Sequence, residues 1–350
     1  MVSIFACVML TAPNAHGQSS AEPSALEQRA SDATHDAVLL LTEWLGPPPA
    51  GTITAVTPAR WLVPERDRSI ERDAITEVAR RFWLRHAAPT PFEQALVLHT
   101  SVHAIHHLLA GRHFETVRLF GGAIAYPIRF VLLSPPIDDP RPRLWHFDAP
   151  PVDAEVLRHV LALHTLERYV GWPTMTQALG LMRVTDARPY DVTALGRALS
   201  TVRGTPMTRL VEECFRSGAI FDYAIDVRES TTGNGLRETS LTIDRRGSGV
   251  FAVDGDDDPE PSLPVLVRFD DGTDIREWVN GAAPSTTLVY TSKTAVVYAA
   301  VDPEAMLVLD VNRANNTFAT ASPIRRLGIR LAVHWMSWLQ QTMLAYTALV

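Results

Sequence analysis

Five histidines gather in one short stretch of the chain: His99, His103, His106, His107 and His113. His99, His103 and His107 stand four residues apart, so on a helix they run along one face with His106 close by. Two or three imidazoles on one face can hold Zn, Ni or Cu. The same segment offers one carboxylate near ligand spacing, Glu93, a turn and a half before His99. The pattern supports two readings: a metal site formed by His99, His103 and His107, or a hydrogen-bonded or solvated polar face. Glu77 is a second candidate, an acid or base by type, whose neighbours Arg72, Arg80 and Arg81 equally suit an ordinary ion pair within its helix.

Other chemistries find little footing. The chain has no G-x-x-x-x-G-K-[ST] and no G-x-G-x-x-G, and Gly121-Gly122-Ala123 reads as a turn. Ser134, Ser217 and Ser337 lack the G-x-S-x-G elbow of a serine hydrolase. Two cysteines, Cys7 and Cys214, are too few for a disulfide framework or a cysteine-based zinc site, so any metal must use His and carboxylates. The acidic run from Asp254 to Glu260 lacks the ordered spacing of a calcium loop and reads as a solvated hairpin loop. With 39 acidic against 32 basic residues, a net charge of -7 and no Lys/Arg run, the chain offers no footprint for nucleic acid. Lys293 is its only lysine, a bias we assign to a GC-rich genome rather than to a ligand.

The elements that must carry these residues follow from hydrophobic periodicity. Helices are predicted for 25–45, 69–85, 91–109, 153–169, 173–182, 192–202 and 207–215, separated by Pro and Gly. A strand is predicted for Thr52 to Val63. From about Ile220 the period changes to two, with strands predicted for 221–228, 240–245, 263–269, 286–290, 296–301 and 306–311. Asn234-Gly235 and Asp271-Gly272 are hairpin-grade turns, the pattern of an antiparallel sandwich.

The two ends carry their own signals. Val2 to Thr11 is apolar and is followed by Pro13 and Ala15-His16-Gly17, so residues 1–17 read as a signal peptide, with a plain N-terminal extension as the other reading. Leu327 to Val350 is predicted as an apolar helix with a narrow polar stripe of Arg330, His334, Ser337 and Gln341. Such a helix suits a membrane, an interface or another subunit, and we expect membrane or membrane-protein association through Leu331 to Val350.

Several stretches resemble the M1 family of zinc aminopeptidases, in the part running from the catalytic domain into a β-sandwich. Glu43-Trp44-Leu45-Gly46-Pro47 resembles a helix end of that family. Leu166-Glu167-Arg168-Tyr169-Val170-Gly171-Trp172-Pro173 with Ala178-Leu179 resembles the helix and turn after the zinc helices, and Phe215-Arg216-Ser217 through Phe221-Asp222-Tyr223 resembles the exit from the helical domain. The chemistry of such enzymes needs H-E-x-x-H, in which two His at i and i+4 hold zinc and the Glu activates water. The resemblance places that motif on Thr76-Glu77-Val78-Ala79-Arg80, where only Glu77 is retained, and it places Gln94 at the third ligand. Arg80 is a permanent cation and Thr76 a poor zinc ligand. The G-x-M-E-N segment that binds the substrate amine is missing from the sequence, and neither Tyr126 nor Tyr169 is well placed to stabilise an oxyanion.

The resemblance therefore implies an α+β multidomain protein: a mainly helical thermolysin-like domain over 18–218, an antiparallel β-sandwich over 219–320 and a C-terminal apolar helix over 321–350. It implies a non-catalytic binding or scaffolding protein of the bacterial cell envelope, taking a peptide or protein ligand, with no cofactor expected. The alternative is a divergent zinc metallopeptidase in which His99, His103 or His107 recruit the metal and Glu77 serves as base.

Overall fold

The computed structural model describes residues 25–48, 69–84, 88–109, 116–119, 122–125, 154–185, 190–232, 235–253 and 260–320. The first half is helical: α1 (Ala25–Leu45), α2 (Ser69–Trp83) and α3 (Pro91–Leu109), a short antiparallel pair β1 (Thr116–Leu119) and β2 (Gly122–Ala125), then α4 (Ala154–Val170), α5 (Trp172–Thr185), α6 (Val192–Arg203) and α7 (Thr208–Phe215). α3 packs between α2 and α4, and α1 covers α2 and α5. The buried seam includes Leu41, Ile75, Phe82, Trp83, Leu96, Leu163, Leu166 and Leu179.

Local chemistry sets the ends of the helices that matter most. α3 opens with a capping box: the Thr90 hydroxyl accepts from Glu93 N at 3.1 Å, Glu93 Oε2 accepts from Thr90 N at 3.0 Å, and Pro91 fills the first helical position. Removing one half of the box with Thr90→Ala is expected to cost about 1 kcal/mol of stability by urea unfolding, the usual worth of such a cap. A loss below a few tenths would show that tertiary packing alone starts this helix. α4 ends at Gly171, whose φ of 83° is left-handed and whose N–H bonds Glu167 O at 2.7 Å. That reversal starts α5 at Trp172 and returns its indole towards α3.

The second half is β. A three-stranded sheet has the order β3-β4-β7, from Tyr223–Thr231, Arg237–Arg245 and Ser285–Ser292, and a four-stranded sheet has the order β6-β5-β8-β9, from Asp274–Val279, Leu263–Phe269, Val296–Val301 and Thr317–Ala319. All neighbours pair antiparallel. β3 packs against β8 and β9, joining the sheets over Leu241, Ile243, Val265, Val267, Ala299 and Val301. Tyr223 fastens the centre, its buried hydroxyl donating to Gly281 O at 2.7 Å and accepting from Phe251 N at 3.0 Å.

α4 is tied to this half at both ends of its exposed side. Arg158 donates to Ala219 O at 3.0 Å, and Arg168 donates to Ala305 O at 2.6 Å. Tyr169 meets Phe251 edge-on, with ring centroids 5.4 Å apart. The helix that carries Glu167 is thus held by the sheets as well as by its helical neighbours.

The expected fold class requires correction. The described residues form seven α-helices, with the short β1–β2 pair between α3 and α4, followed by a three-stranded and a four-stranded antiparallel sheet; the C-terminal apolar helix of the expected class is not seen among them, and no helix among them is long and apolar enough to cross a membrane. The apolar helix expected at 321–350 lies outside the described residues, as do the strand at 52–63 and the leader at 1–17. Strands differ as well, β1, β2 and β9 among those not expected. Residues 306–311 form turns rather than a strand, because the buried Asp302 carboxylate accepts from Met306 N at 2.7 Å and Leu307 N at 2.8 Å and so bends the backbone. β6 has no counterpart in the sequence expectation, since its Asp274, Arg276 and Trp278 face solvent at a sheet edge and leave little apolar alternation.

Candidate metal centre

Where α3 packs on α4, four side chains converge. His99 and His103 lie one turn apart on α3, and His164 and Glu167 lie one turn apart on α4. One donor atom from each falls within 4.8 Å of the others. A single carboxylate oxygen, Glu167 Oε2, is the focus: it is 2.8 Å from His103 Nε2, 3.2 Å from His99 Nε2 and 3.6 Å from His164 Nδ1. The ring of His99 sits 5.1 Å from that of His103 and 4.8 Å from that of His164.

The surroundings fix these rings. Trp172 stacks on His103 with a centroid distance of 3.8 Å and an interplanar angle of 13°. Trp44 meets Trp172 edge-on at 5.0 Å, which braces the indole from behind. Next to His99, Thr100 donates to Leu96 O at 2.7 Å and accepts from the Trp83 indole at 3.0 Å.

The electrostatics set an anion beside a neutral His99. Burial, reinforced by His164, pushes His99 well below the ordinary imidazole range, so its ring is uncharged at neutral pH. Burial would raise the Glu167 carboxyl, but the hydrogen bonds that it accepts from His103 and His164 outweigh it and hold the group far below the carboxylate range. A deprotonated Glu167 and a neutral His99 are in the forms that bind metal.

His99 is completely buried, and neither of its ring nitrogens has a hydrogen-bond partner, the 3.2 Å approach to Glu167 being poorly aligned for one. Leaving such a group unsatisfied costs about 1–3 kcal/mol. A cation held by Glu167 and the imidazoles would satisfy Nε2 and remove part of that cost. The donor set of three nitrogens and one carboxylate oxygen suits zinc and its neighbours rather than calcium or magnesium.

The sequence candidates divide. His99 and His103 enter the cluster. His107 does not: it is exposed and lies edge-on to Trp44 at 5.7 Å. Glu77 is also outside it, pairing with Arg80 at 3.4 Å and Arg81 at 3.1 Å along α2. Thr76 is a half-buried residue of α2, Arg80 is exposed, and Gln94 donates from its Nε2 to Pro89 O at 3.2 Å in the first turn of α3. Tyr169 is engaged elsewhere, with the Arg203 guanidinium 4.6 Å from its ring centre.

Sequence reasoning missed His164 and Glu167. Glu167 was visible only as part of a packing motif, and His164-x-x-Glu167 is a metal-capable spacing on a helix 64 residues away from His103. Pairing an H-x-x-x-H segment with an H-x-x-E segment was the available signal. No protein-family model matches the chain, and no curated protein matches it.

Proposed function

We propose that this protein binds a divalent transition metal, zinc first, at His99, His103, His164 and Glu167, and that it serves as a non-hydrolytic binding or scaffolding unit related to M1 peptidases. The observation that carries the reading is the buried, unpartnered His99 facing a carboxylate oxygen shared with two more imidazoles.

The M1 resemblance places its zinc motif elsewhere, on Thr76 to Arg80, so this site rests on its own spacing. His99-Thr100-Ser101-Val102-His103 has the i, i+4 spacing of a zinc helix, with Thr100 where H-E-x-x-H carries its Glu. Thr100 cannot act as a base there, since its hydroxyl is committed to Leu96 and Trp83. Among the described residues the cluster holds one carboxylate, Glu167, and that one is a ligand. A zinc hydrolase needs a further group to take a proton from the metal-bound water, and this argues for binding rather than peptide cleavage.

Elemental analysis of the full chain purified without chelators is expected to find about one zinc per chain. Chelator treatment should lower the melting temperature and zinc should restore it, by a margin corresponding to about 2.7 kcal/mol when zinc stands at a hundred times its Kd. An aminopeptidase assay with added zinc should stay at background. Metal-free protein whose melting temperature ignores zinc would defeat the metal reading, and efficient peptide cleavage would defeat the non-hydrolytic one.

A further inference from the structure

We infer that His164 is the fourth ligand and that it closes the centre, leaving the metal no exchangeable position. The inference rests on the metal reading above and adds its coordination. A zinc that works on substrate keeps three protein ligands and an open site, whereas a zinc that holds structure is ringed by four. Four donors from this chain converge here without help from any other group.

The distances fit such a ring. Ligands about 2 Å from a tetrahedral ion lie ~3.3 Å from one another. The three imidazole approaches to Glu167 Oε2, at 2.8, 3.2 and 3.6 Å, bracket that edge. The largest separation within the group, 4.8 Å, closes with shifts on the order of an ångström shared between two side chains. His164 reaches the centre through Nδ1, the nitrogen that faces Glu167. It lies in the same turn of α4 as Glu167, so one helix supplies two ligands and α3 supplies the other two. The ion then bridges the helices symmetrically, as a clasp does, and the partly exposed sides of His103 and His164 take up the positions a substrate would need.

Cobalt is the probe, because its absorption spectrum reports coordination number while it occupies zinc sites. The chelator-treated full chain loaded with Co²⁺ should give an intense four-coordinate spectrum that azide at large excess leaves unchanged. The His164→Ala variant should still bind Co²⁺, at least ~10-fold more weakly, with a spectrum that azide now alters because a position has opened. Azide perturbing the unsubstituted protein would overturn the inference while leaving the metal site intact. So would a His164→Ala spectrum and affinity equal to those of the unsubstituted protein. Should His164→Ala fail to fold, the azide response of the unsubstituted protein decides the matter alone. Failure of the unsubstituted, folded protein to take up Co²⁺ or Zn²⁺ at all would overturn the metal reading itself, and the closed centre with it.

Discussion

His99→Ala is expected to weaken zinc binding by at least ~100-fold, more than the range seen when groups behind the ligands are removed. His99 is the deepest member of the cluster and touches every other one: Glu167 at 3.2 Å, and the rings of His103 and His164 at 5.1 and 4.8 Å. Removing it leaves a shallow group that opens toward solvent. The effect on the metal-free protein should be far smaller than for an ordinary core truncation. A cavity is created, but a buried imidazole with two unsatisfied nitrogens is also removed, and the two terms oppose each other. The signature is therefore a protein that still melts cooperatively but no longer responds to zinc. Competition against a chromophoric chelator gives the affinity and thermal melts with and without zinc give the stability. An unchanged Kd would remove His99 from the site, and a collapse of the metal-free protein would mean that its role is packing.

Trp83→Ala is expected to cost about 3–5 kcal/mol in stability, the usual range for truncating a large buried aromatic. Trp83 is the last residue of α2 and is fully buried. Its indole donates to Thr100 at 3.0 Å, and its ring meets Tyr190 edge-on at 5.4 Å. It thus ties α2 to the turn of α3 that begins at His99 and to the segment leading into α6. Trp83→Phe keeps most of the apolar contact and removes the N–H, so it should cost roughly 1–2 kcal/mol. Thr100 remains bonded to Leu96 in that variant. Urea unfolding of the three proteins separates the packing contribution from the hydrogen bond. A loss below 1 kcal/mol for the alanine variant would mean that α2 is not an integral part of the helical core.

Local order in this protein was legible wherever the signal was local. The capping sequence Thr90-Pro91-Phe92-Glu93 marks the start of α3, and the apolar runs of β5 and β8 mark two strands buried between neighbours, because caps and hydrophobic runs act over a few residues. Signals of opposite kind misled. Met306 to Val311 looks like a strand but is bent by Asp302, and the charged edge strand β6 hides in a polar segment.

The candidate site was half legible for the same reason. Spacing of four put His99, His103 and His107 along one face, but each step of four overshoots a helical turn by ~40°. His107 has accordingly turned away, to Trp44, while His99 and His103 point at α4. The composition and spacing of the chain determined that imidazoles line one helix, that two cysteines are too few for a cysteine-based zinc site and that α3 begins at Pro91. Only the tertiary structure decided which helix meets that face, because partner choice between helices depends on the whole apolar surface of each. That packing brings Glu167, 64 residues along the chain, and with it His164 to His103, buries His99 without a partner, and so makes a polar helix face a candidate metal centre.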